Sequence, residues 1–289
     1  NINNMMRHKP MLAYPASNKP IDYTKKVFIQ PKLDGVRCLI QYDNSQVKAY
    51  SRTGKEWKNI EHILFNLKHW FALNPNVVLD GELYNHDLKD DFETIISLVR
   101  RQKPDDIDML ESEDLVQFHC YDCIDMGLID ASFENRMNFI THNVPRNHCI
   151  KHVITDRVYK HEEALNMHHD GFLADGYEGS ILRLNGLYKH GRSYDLMKFK
   201  DFSDTEATIV GYETGKGKRE GTLGKFIMQD DDGVEFGCPP GKGYNYKDLA
   251  SILDNIGDYI GKRATFTYFQ RTQAGSYRHP LFKCIRNYE

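Results

Sequence analysis

The segment Gln30-Pro31-Lys32-Leu33-Asp34-Gly35-Val36-Arg37 joins two apolar runs, Val27–Ile29 and Cys38–Ile40, which have the composition of strands. A lysine held between two such strands is partly desolvated. Desolvation disfavours the ammonium and lowers the pKa, so Lys32 would supply the neutral amine that a nucleophile needs. Asp34 points to the same face of an extended chain. The alternative is an ordinary hairpin, because Asp-Gly is a strong hairpin signal and a lysine beside it is usually solvated.

Length and composition indicate a globular protein large enough for two domains, with 289 residues, 40% hydrophobic and 27% charged. No apolar run approaches the ~20 residues that span a bilayer, and the N-terminus lacks the apolar core of a signal peptide. The six cysteines are dispersed, which favours reduced thiols in a cytosol-like compartment. We therefore expect a cytoplasmic protein.

The charge distribution leaves the partner open. A formal net charge of −3 does not favour nucleic-acid binding, for which a basic surface is expected. The charges are uneven, however: Asp105–Asp114 is acidic, whereas Lys189–Lys200 and Lys216–Lys225 are basic. A protein with two such faces can bind phosphate on one and remain soluble through the other.

Two further strand-like runs carry an isolated acid, Glu82 in Val77–Tyr84 and Glu178 in Gly176–Arg183. A carboxylate in an apolar strand is costly without a polar partner, so each is a site candidate; the alternative is a position on the solvent face. In Leu196–Lys200 the alternation places Lys198 and Lys200 on one face. Two lysines repel each other there unless an anion lies between them, which indicates a phosphate site.

Apolar spacing predicts helices over residues 60–73, 92–101, 133–140 and 162–171. After about residue 202 the chain changes to short strands and turns with one helix, which fits a five-stranded OB barrel. Cys120-Tyr121-Asp122-Cys123 is interpreted as strand interior rather than a metal site, since no second pair has suitable spacing. His168 and His169 are interpreted as surface residues.

One lysine nucleophile, two acids and several cations together favour covalent chemistry on a phosphoryl group, assisted by a divalent metal. The sequence resembles the ATP-dependent DNA ligases of the covalent nucleotidyltransferase superfamily, especially the small two-domain enzymes of viruses and phages. Seven segments carry the resemblance in the family's order: Lys32–Gly35, Ser51–Gly54, Asp80–Leu83, Phe118–Asp122, Glu178–Arg183, Leu196–Lys200 and Arg278–Arg286.

The resemblance implies an α+β fold. Residues 1–201 would form a nucleotidyltransferase (adenylation) domain of antiparallel sheets flanked by helices, and residues 202–289 an OB-fold β-barrel. The implied reaction is the sealing of nicks in duplex DNA by a monomer that uses ATP and Mg²⁺, in replication, repair or recombination.

The implied catalytic residues are Lys32, Asp34, Glu178, Lys198 and Lys200. Lys32 would attack the α-phosphate of ATP, Lys198 and Lys200 would hold the AMP phosphate, and Asp34 and Glu178 would bind Mg²⁺. In the nucleotide site, Glu82 would hold the ribose, Tyr121 would stack on adenine and Gln30 would contact the base edge. Arg278 and Arg286 would orient the pyrophosphate.

DNA would be bound by Arg37, Arg52 and Arg192, which would grip the 5′-phosphate of the nick; Arg37 and Arg52 would also belong to the nucleotide site. Lys216, Lys218 and Arg219 would contact the duplex from the loop Gly215–Gly224, which is short where some viral ligases carry a longer clamp. No N-terminal DNA-binding domain is expected, since about thirty residues precede Lys32.

Three alternatives remain open. An RNA ligase or an mRNA capping guanylyltransferase would share the covalent chemistry, although the terminal motif departs from the capping-enzyme form. A non-catalytic OB-fold protein that binds nucleic acid would have no need of a lysine and two acids in apolar strands.

Overall fold

The computed structural model describes residues 5–128, 130–160, 162–200, 202–272 and 274–288. The chain divides into two compact units, Asn1–Lys200 and Asp201–Tyr288. The expected domain limits at residues 1, 201 and 289 lie outside the described residues.

The first unit contains two sheets. One has the strand order β1-β11-β10-β2-β9, formed by β1 (Leu12–Pro15), β2 (Val27–Pro31), β9 (Asp156–Val158), β10 (Ser180–Leu184) and β11 (Arg192–Phe199). The other has the order β5-β4-β3-β6-β7-β8, formed by β3 (Val36–Asp43), β4 (Gln46–Tyr50), β5 (Glu56–Trp57), β6 (Val78–Tyr84), β7 (Gln117–Ile124) and β8 (Ile150–His152). Most pairs are antiparallel; β1 with β11 and β7 with β8 are parallel.

Among the described residues of this unit, five α-helices accompany the sheets: α1 (Glu61–Leu73), α2 (Phe92–Val99), α3 (Asp106–Leu115), α4 (Phe133–Asn143) and α5 (Glu162–Ala174). The four predicted helices are confirmed as α1, α2, α4 and α5. The acidic run forms α3, whose N-terminus is stabilised by a capping box between Asp105 and Asp108.

The hairpin alternative for the Lys32 segment is wrong. Strands β2 and β3 belong to different sheets, so residues 32–35 cross from one sheet to the other. Lys32 follows β2 directly, which confirms the prediction that it lies between two strands.

Two other expectations are corrected. Glu178 lies in the bend that precedes β10 rather than inside the strand, because pairing with β2 and β11 begins only at Ser180. His169 is 4% exposed rather than on the surface. Its Nδ1 is 2.8 Å from the Ser180 hydroxyl and its ring packs on Phe199, so α5 presents this histidine to the sheet.

The second unit is a five-stranded antiparallel sheet with the order β14-β13-β12-β15-β18. Its strands are β12 (Ser203–Thr214), β13 (Leu223–Gln229), β14 (Glu235–Cys238), β15 (Arg263–Tyr268) and β18 (Leu281–Ile285). The described residues of this unit also form a small hairpin, β16 (Gln270–Arg271) with β17 (Tyr277–Arg278), one α-helix, α6 (Tyr246–Asp254), and two short 3-10 helices, Gly217–Arg219 and Ile256–Asp258.

The closure of this sheet is partial. Within the described residues, one isolated bridge, Pro240 with Phe282, connects the segment after β14 to β18. The unit is therefore a partly open version of the expected OB barrel, a common state of this fold. Its core is aromatic, with Phe226, Phe266 and Phe282 fully buried.

Candidate active site

Lys32 lies in the crossing between the two sheets of the first unit. Its side chain is 14% exposed, and its Nζ is 3.6 Å from the carboxylate of Glu178. Its backbone N–H donates to the Gly179 carbonyl at 2.9 Å. The carboxylate favours the ammonium form and so opposes the desolvation expected from the sequence. Lys32 is therefore positioned beside an acid that would have to change partner or accept a proton before the amine could act as the expected nucleophile.

Two glycines allow the chain segments of this site to approach closely. A Cβ at Gly35 would lie 2.2 Å from the Leu83 carbonyl oxygen. A Cβ at Gly179 would lie 2.6 Å from both the Lys200 Cβ and the Phe199 carbonyl oxygen. Such distances do not occur between real Cβ atoms and backbone, so glycine at both positions is a condition of the observed packing.

Glu82 is enclosed next to Lys32. Its two carboxylate oxygens accept hydrogen bonds from the Tyr121 hydroxyl at 2.9 Å and from the Gly35 N–H at 3.3 Å. Burial raises the pKa of Glu82 to about 7, although the positive charge of Arg37 and the bond from Tyr121 act in the opposite direction. Burial of a carboxylate in an apolar strand costs free energy without polar partners, and Glu82 has such partners.

Arg37 is engaged within the protein. Its guanidinium forms a bidentate ion pair with the fully buried Asp80, at 2.6 and 2.7 Å, and donates to the Met11 carbonyl at 2.7 Å. The Tyr188 hydroxyl donates to the same carboxylate at 2.6 Å. In this arrangement Arg37 joins β3 to β6 and to the segment before β1. Contact with DNA would use its remaining surface, and that role stays a prediction.

Gln30 lies behind Tyr121 and is 1% exposed. Its amide oxygen accepts from Arg183 at 2.7 Å, and its amide nitrogen donates to the Tyr121 carbonyl at 3.1 Å and to the Thr155 hydroxyl at 3.0 Å. Contact with a base edge would require exchange of these bonds. The geometry therefore favours a role in positioning Tyr121.

Three buried charged residues were missed by the sequence analysis. The fully buried Asp122 accepts from Arg136 at 2.7 Å and from Arg183 at 2.8 Å, and Arg183 in turn bonds Gln30. We call these four residues the Asp122 cluster. Asp122 lies in the apolar strand β7, so the criterion that selected Glu82 would also have selected it.

Tyr121 is bordered by two guanidinium groups. Those of Arg183 and Arg37 lie 5.0 and 5.4 Å from the centre of its ring. The cluster residue Arg183 therefore connects the Asp122 cluster to the ring on which adenine is expected to stack.

The remaining candidates of the first unit are placed as follows. Asp34, Arg52, Lys198 and Lys200 are half-buried, in the crossing segment, in the turn after β4 and at the end of β11. Arg192 is exposed at the start of β11, where it donates to the Ala13 carbonyl at 2.9 Å. Burial raises the pKa of the Tyr84 hydroxyl, and electrostatic interactions with Tyr177 and with the carboxylates of Asp34, Glu178 and Glu82 add to this shift.

Asp34 and Glu178 are the two acids that the resemblance assigns to Mg²⁺. Within the described residues, no group of three histidine, cysteine, aspartate or glutamate side chains could hold a metal ion. Mg²⁺ is commonly bound by one or two carboxylates together with substrate phosphates and water. The oxygen donors of these two acids therefore fit this ion, with a nucleotide supplying the remaining ligands.

In the second unit, the predicted DNA contacts Lys216, Lys218 and Arg219 are exposed on an ordered turn. The turn is closed by the bond from the Gly215 N–H to the Thr222 carbonyl at 2.9 Å. Arg278 is exposed on β17. Arg286 is largely buried, with an ion pair to Glu206 at 3.1 Å and a hydrogen bond to the Tyr288 hydroxyl at 2.7 Å.

The chain matches the models of known protein families. Residues 10–200 match the family model described as the ATP dependent DNA ligase domain. The chain belongs to the ATP-dependent DNA ligase family. Residues 214–286 match a second model of the ligases, the DNA ligase OB-like domain. The resemblance drawn from the ordered motifs, and with it the fold class, is confirmed.

Relatives of known sequence include the DNA ligase of Halobacterium salinarum, which is 26% identical over 259 residues. The DNA ligase of Archaeoglobus fulgidus is 29% identical over 211 residues. The alignments cover 83% and 69% of this chain but only 45% and 37% of the relatives. The chain thus spans less than half the length of these ligases.

Solved structures share the fold. A structure from a study of Lig E DNA ligases has a TM-score of 0.53 at 24% identity and covers 97% of this chain and 100% of its own. The ATP-dependent DNA ligase of bacteriophage T7, in complex with ATP, has a TM-score of 0.53 at 19% identity, with coverages of 97% and 99%. No helix in the described ranges has the length and apolar character needed to cross a membrane.

Proposed function

We propose that this chain seals nicks between a 3′-hydroxyl and a 5′-phosphate in duplex DNA, with ATP as the source of AMP. The observation that carries the proposal is the largely buried Lys32, held 3.6 Å from Glu178 in the crossing segment of a ligase-family domain. A lysine on a flexible surface would not be held in this way, whereas a nucleophile benefits from a fixed approach to phosphorus.

The reaction begins with loss of a proton from the Lys32 ammonium to solvent. A bond then forms between Nζ and the α-phosphorus of ATP, and the bond from that phosphorus to the pyrophosphate oxygen breaks. An oxygen of the 5′-phosphate of the nick next bonds to the phosphorus of AMP, and the bond from that phosphorus to Nζ breaks, which frees Lys32. Attack by the 3′-hydroxyl on the same 5′-phosphate finally releases AMP and joins the strands.

The other residues bind and orient the reactants. Lys198 and Lys200 hold the phosphate of AMP, Glu82 the ribose and Tyr121 the adenine. Asp34 and Glu178 hold Mg²⁺, which when bound neutralises charge on the phosphates. Lys216, Lys218 and Arg219 bind the duplex from the second unit, and Arg278 contacts pyrophosphate. We assign Arg286 a smaller role than Arg278 in binding pyrophosphate, because its ion pair with Glu206 supports a structural role.

A monomer in a reducing compartment such as the cytoplasm is part of the proposal. All six cysteines are buried as free thiols, which supports that setting.

The test is incubation with α-labelled ATP and Mg²⁺, denaturing electrophoresis, and a chase with nicked duplex DNA. A labelled band that disappears as sealed strand forms is expected. Label that transfers only to nicked RNA would replace the proposal with an RNA ligase, and a preference for GTP would indicate a guanylyltransferase. Absence of label after treatment with pyrophosphate, which removes AMP already bound, would support a binding protein.

The first prediction concerns Lys32 itself. Lys32→Ala is expected to abolish labelling, because no other amine can replace Nζ at the α-phosphate. Lys26→Ala is the matched control, since Lys26 is a partly exposed lysine paired with Glu134 and is expected to label normally. A labelled Lys32→Ala protein would contradict the assignment of the nucleophile.

A further inference from the structure

His86 connects the strand of Glu82 to the loop of Glu178. It begins the short 3-10 helix His86–Leu88, which follows β6. Its Nδ1 lies 2.5 Å from the Tyr84 hydroxyl, and its Nε2 lies 2.7 Å from the carbonyl oxygen of Asp175. Asp175 begins the turn after α5, three residues before Glu178. One imidazole thus bridges two segments that each carry an acid of the site.

The chemistry of the two partners determines the tautomer. A carbonyl oxygen only accepts, so Nε2 must carry the proton and donate it to Asp175. In the neutral ring Nδ1 is then an acceptor, and the Tyr84 hydroxyl donates to it. Both nitrogens of a neutral His86 are therefore satisfied, and the ring is held at both ends.

Packing holds the same loop from a second direction. The Tyr177 ring stacks on His86 with centroids 4.1 Å apart and an angle of 23° between planes. Tyr177 and the buried Tyr84 also pack against Leu33, the residue after Lys32. Gly176 has φ +92°, and a Cβ there would lie 2.6 Å from the Lys89 Cε, so the turn fits closely against the segment after His86.

These contacts bear on the distance between Glu178 and Lys32. The loop from Asp175 to Gly179 is bound by His86 at its start and by the Lys32 N–H at its end. We propose that His86 is a positioning residue that fixes the Glu178 carboxylate relative to the Lys32 amine. This inference rests on the proposed function and adds His86 to it, as a residue that acts through Glu178 and does not touch the nucleotide.

Two isosteric changes separate the two bonds of His86. The amide of glutamine lies where Nε2 lies in histidine, so His86→Gln keeps a donor to the Asp175 carbonyl. The amide of asparagine lies where Nδ1 lies, so His86→Asn keeps an acceptor for Tyr84 and loses the bond to the loop.

The rate of adenylylation at saturating ATP is expected to fall about tenfold to a hundredfold in His86→Asn, the usual range for a lost outer-shell partner. His86→Gln is expected to remain within about threefold of the unmodified protein, because the bond to the loop survives.

His142→Asn is the matched control, because that histidine is exposed and its Nδ1 bonds the Asn138 carbonyl of its own helix, far along the chain from Lys32 and Glu178. The KM for ATP is expected to change little in all variants, since His86 holds no part of the nucleotide. Equal losses in His86→Gln and His86→Asn would show that the ring serves only for packing and would overturn the inference.

The decisive measurement is a double-mutant cycle with Glu178→Gln. If His86 acts through Glu178, adding His86→Asn to Glu178→Gln lowers the rate no further. Independent, additive losses would contradict the inference. The unmodified protein separates this outcome from failure of the proposed function: if it takes no label from ATP, the proposed function fails, whereas normal labelling by His86→Asn overturns only the role of His86.

Discussion

At the scale of single residues, the cost of burying charge was the most informative signal. An acid in an apolar strand needs partners, and Glu82 has them in the Tyr121 hydroxyl and the Gly35 N–H. The identity of those partners was not predictable, because Tyr121 and Gly35 are distant from Glu82 in sequence. The same reasoning omitted Asp122, whose partners are two arginines from other elements.

The pKa of Glu82 leads to a prediction about stability. The folded protein keeps the Glu82 proton up to about pH 7, whereas the unfolded chain loses it near 4.5. The stabilising contribution is therefore complete below the unfolded pKa and is lost as the pH rises through the folded pKa. Between about pH 5 and about pH 8, the free energy of unfolding is expected to fall more in the unmodified protein than in Glu82→Gln.

Urea denaturation of both proteins at the two pH values checks this expectation. Glu111→Gln, a change at an exposed position of α3, is the control and is expected to follow the unmodified protein. Parallel pH dependence of the Glu82→Gln and unmodified proteins would show that the Glu82 carboxyl titrates near its ordinary value.

At the scale of elements, local sequence patterns predicted whether a segment is helix or strand. Which strands pair, and where pairing begins, depended on how closely the backbones of distant segments approach each other. Helices α1, α2, α4 and α5 were found where apolar spacing predicted them. The strand predicted over Gly176–Arg183 starts only at Ser180, two residues after Glu178, because Gly179 is in close contact with Lys200 and Phe199.

Gly179→Ala is expected to destabilise the protein by about 1–3 kcal/mol, because its Cβ would overlap backbone as well as side-chain atoms. Gly171→Ala is the matched control. Gly171 lies within α5 with open space where the Cβ would be, so alanine is expected to stabilise by roughly 0.5–1 kcal/mol. Thermal denaturation of both variants is the measurement, and a neutral Gly179→Ala would show that β10 and β11 adjust at little cost.

At the scale of the whole molecule, the Asp122 cluster connects the two sheets of the first unit. Gln30 and Arg183 belong to β2 and β10 of one sheet, and Asp122 belongs to β7 of the other. Arg136 adds α4 to the same carboxylate. A buried carboxylate between two arginines is costly to remove, because both cations then lose their partner.

Asp122→Asn is accordingly expected to lower the free energy of unfolding by about 3–5 kcal/mol. Asp231→Asn provides the contrast: it breaks a bidentate pair with Arg263 at 2.8 and 3.0 Å, but Asp231 is 78% exposed, so a loss of under ~1 kcal/mol is expected. Chemical denaturation measures both free energies of unfolding. Similar losses in the two variants would contradict the larger contribution assigned to the buried carboxylate.

The basic turn of the second unit gives a prediction about DNA. Replacing Lys216, Lys218 and Arg219 by alanine is expected to weaken binding of nicked duplex and to reduce the salt dependence of log Kd by up to about three units of slope, one for each lost phosphate contact. A variant with Lys68, Lys103 and Lys160 replaced by alanine has the same charge change at exposed positions of the first unit. Binding titrations at several salt concentrations distinguish the two, and equal slopes would indicate that the turn makes no specific contact.

The sequence by itself determined the types of most segments, the order of the ligase motifs and the candidate nucleophile, because helix spacing, strand alternation and turn residues are local properties. Only the tertiary structure decided which segments meet. It placed β2 and β3 in different sheets, paired Lys32 with Glu178, turned Gln30 inward and buried His169. The physical reason is that pairing between distant segments depends on the sum of packing, hydrogen bonds and charge over the whole unit, to which each residue contributes only a small part.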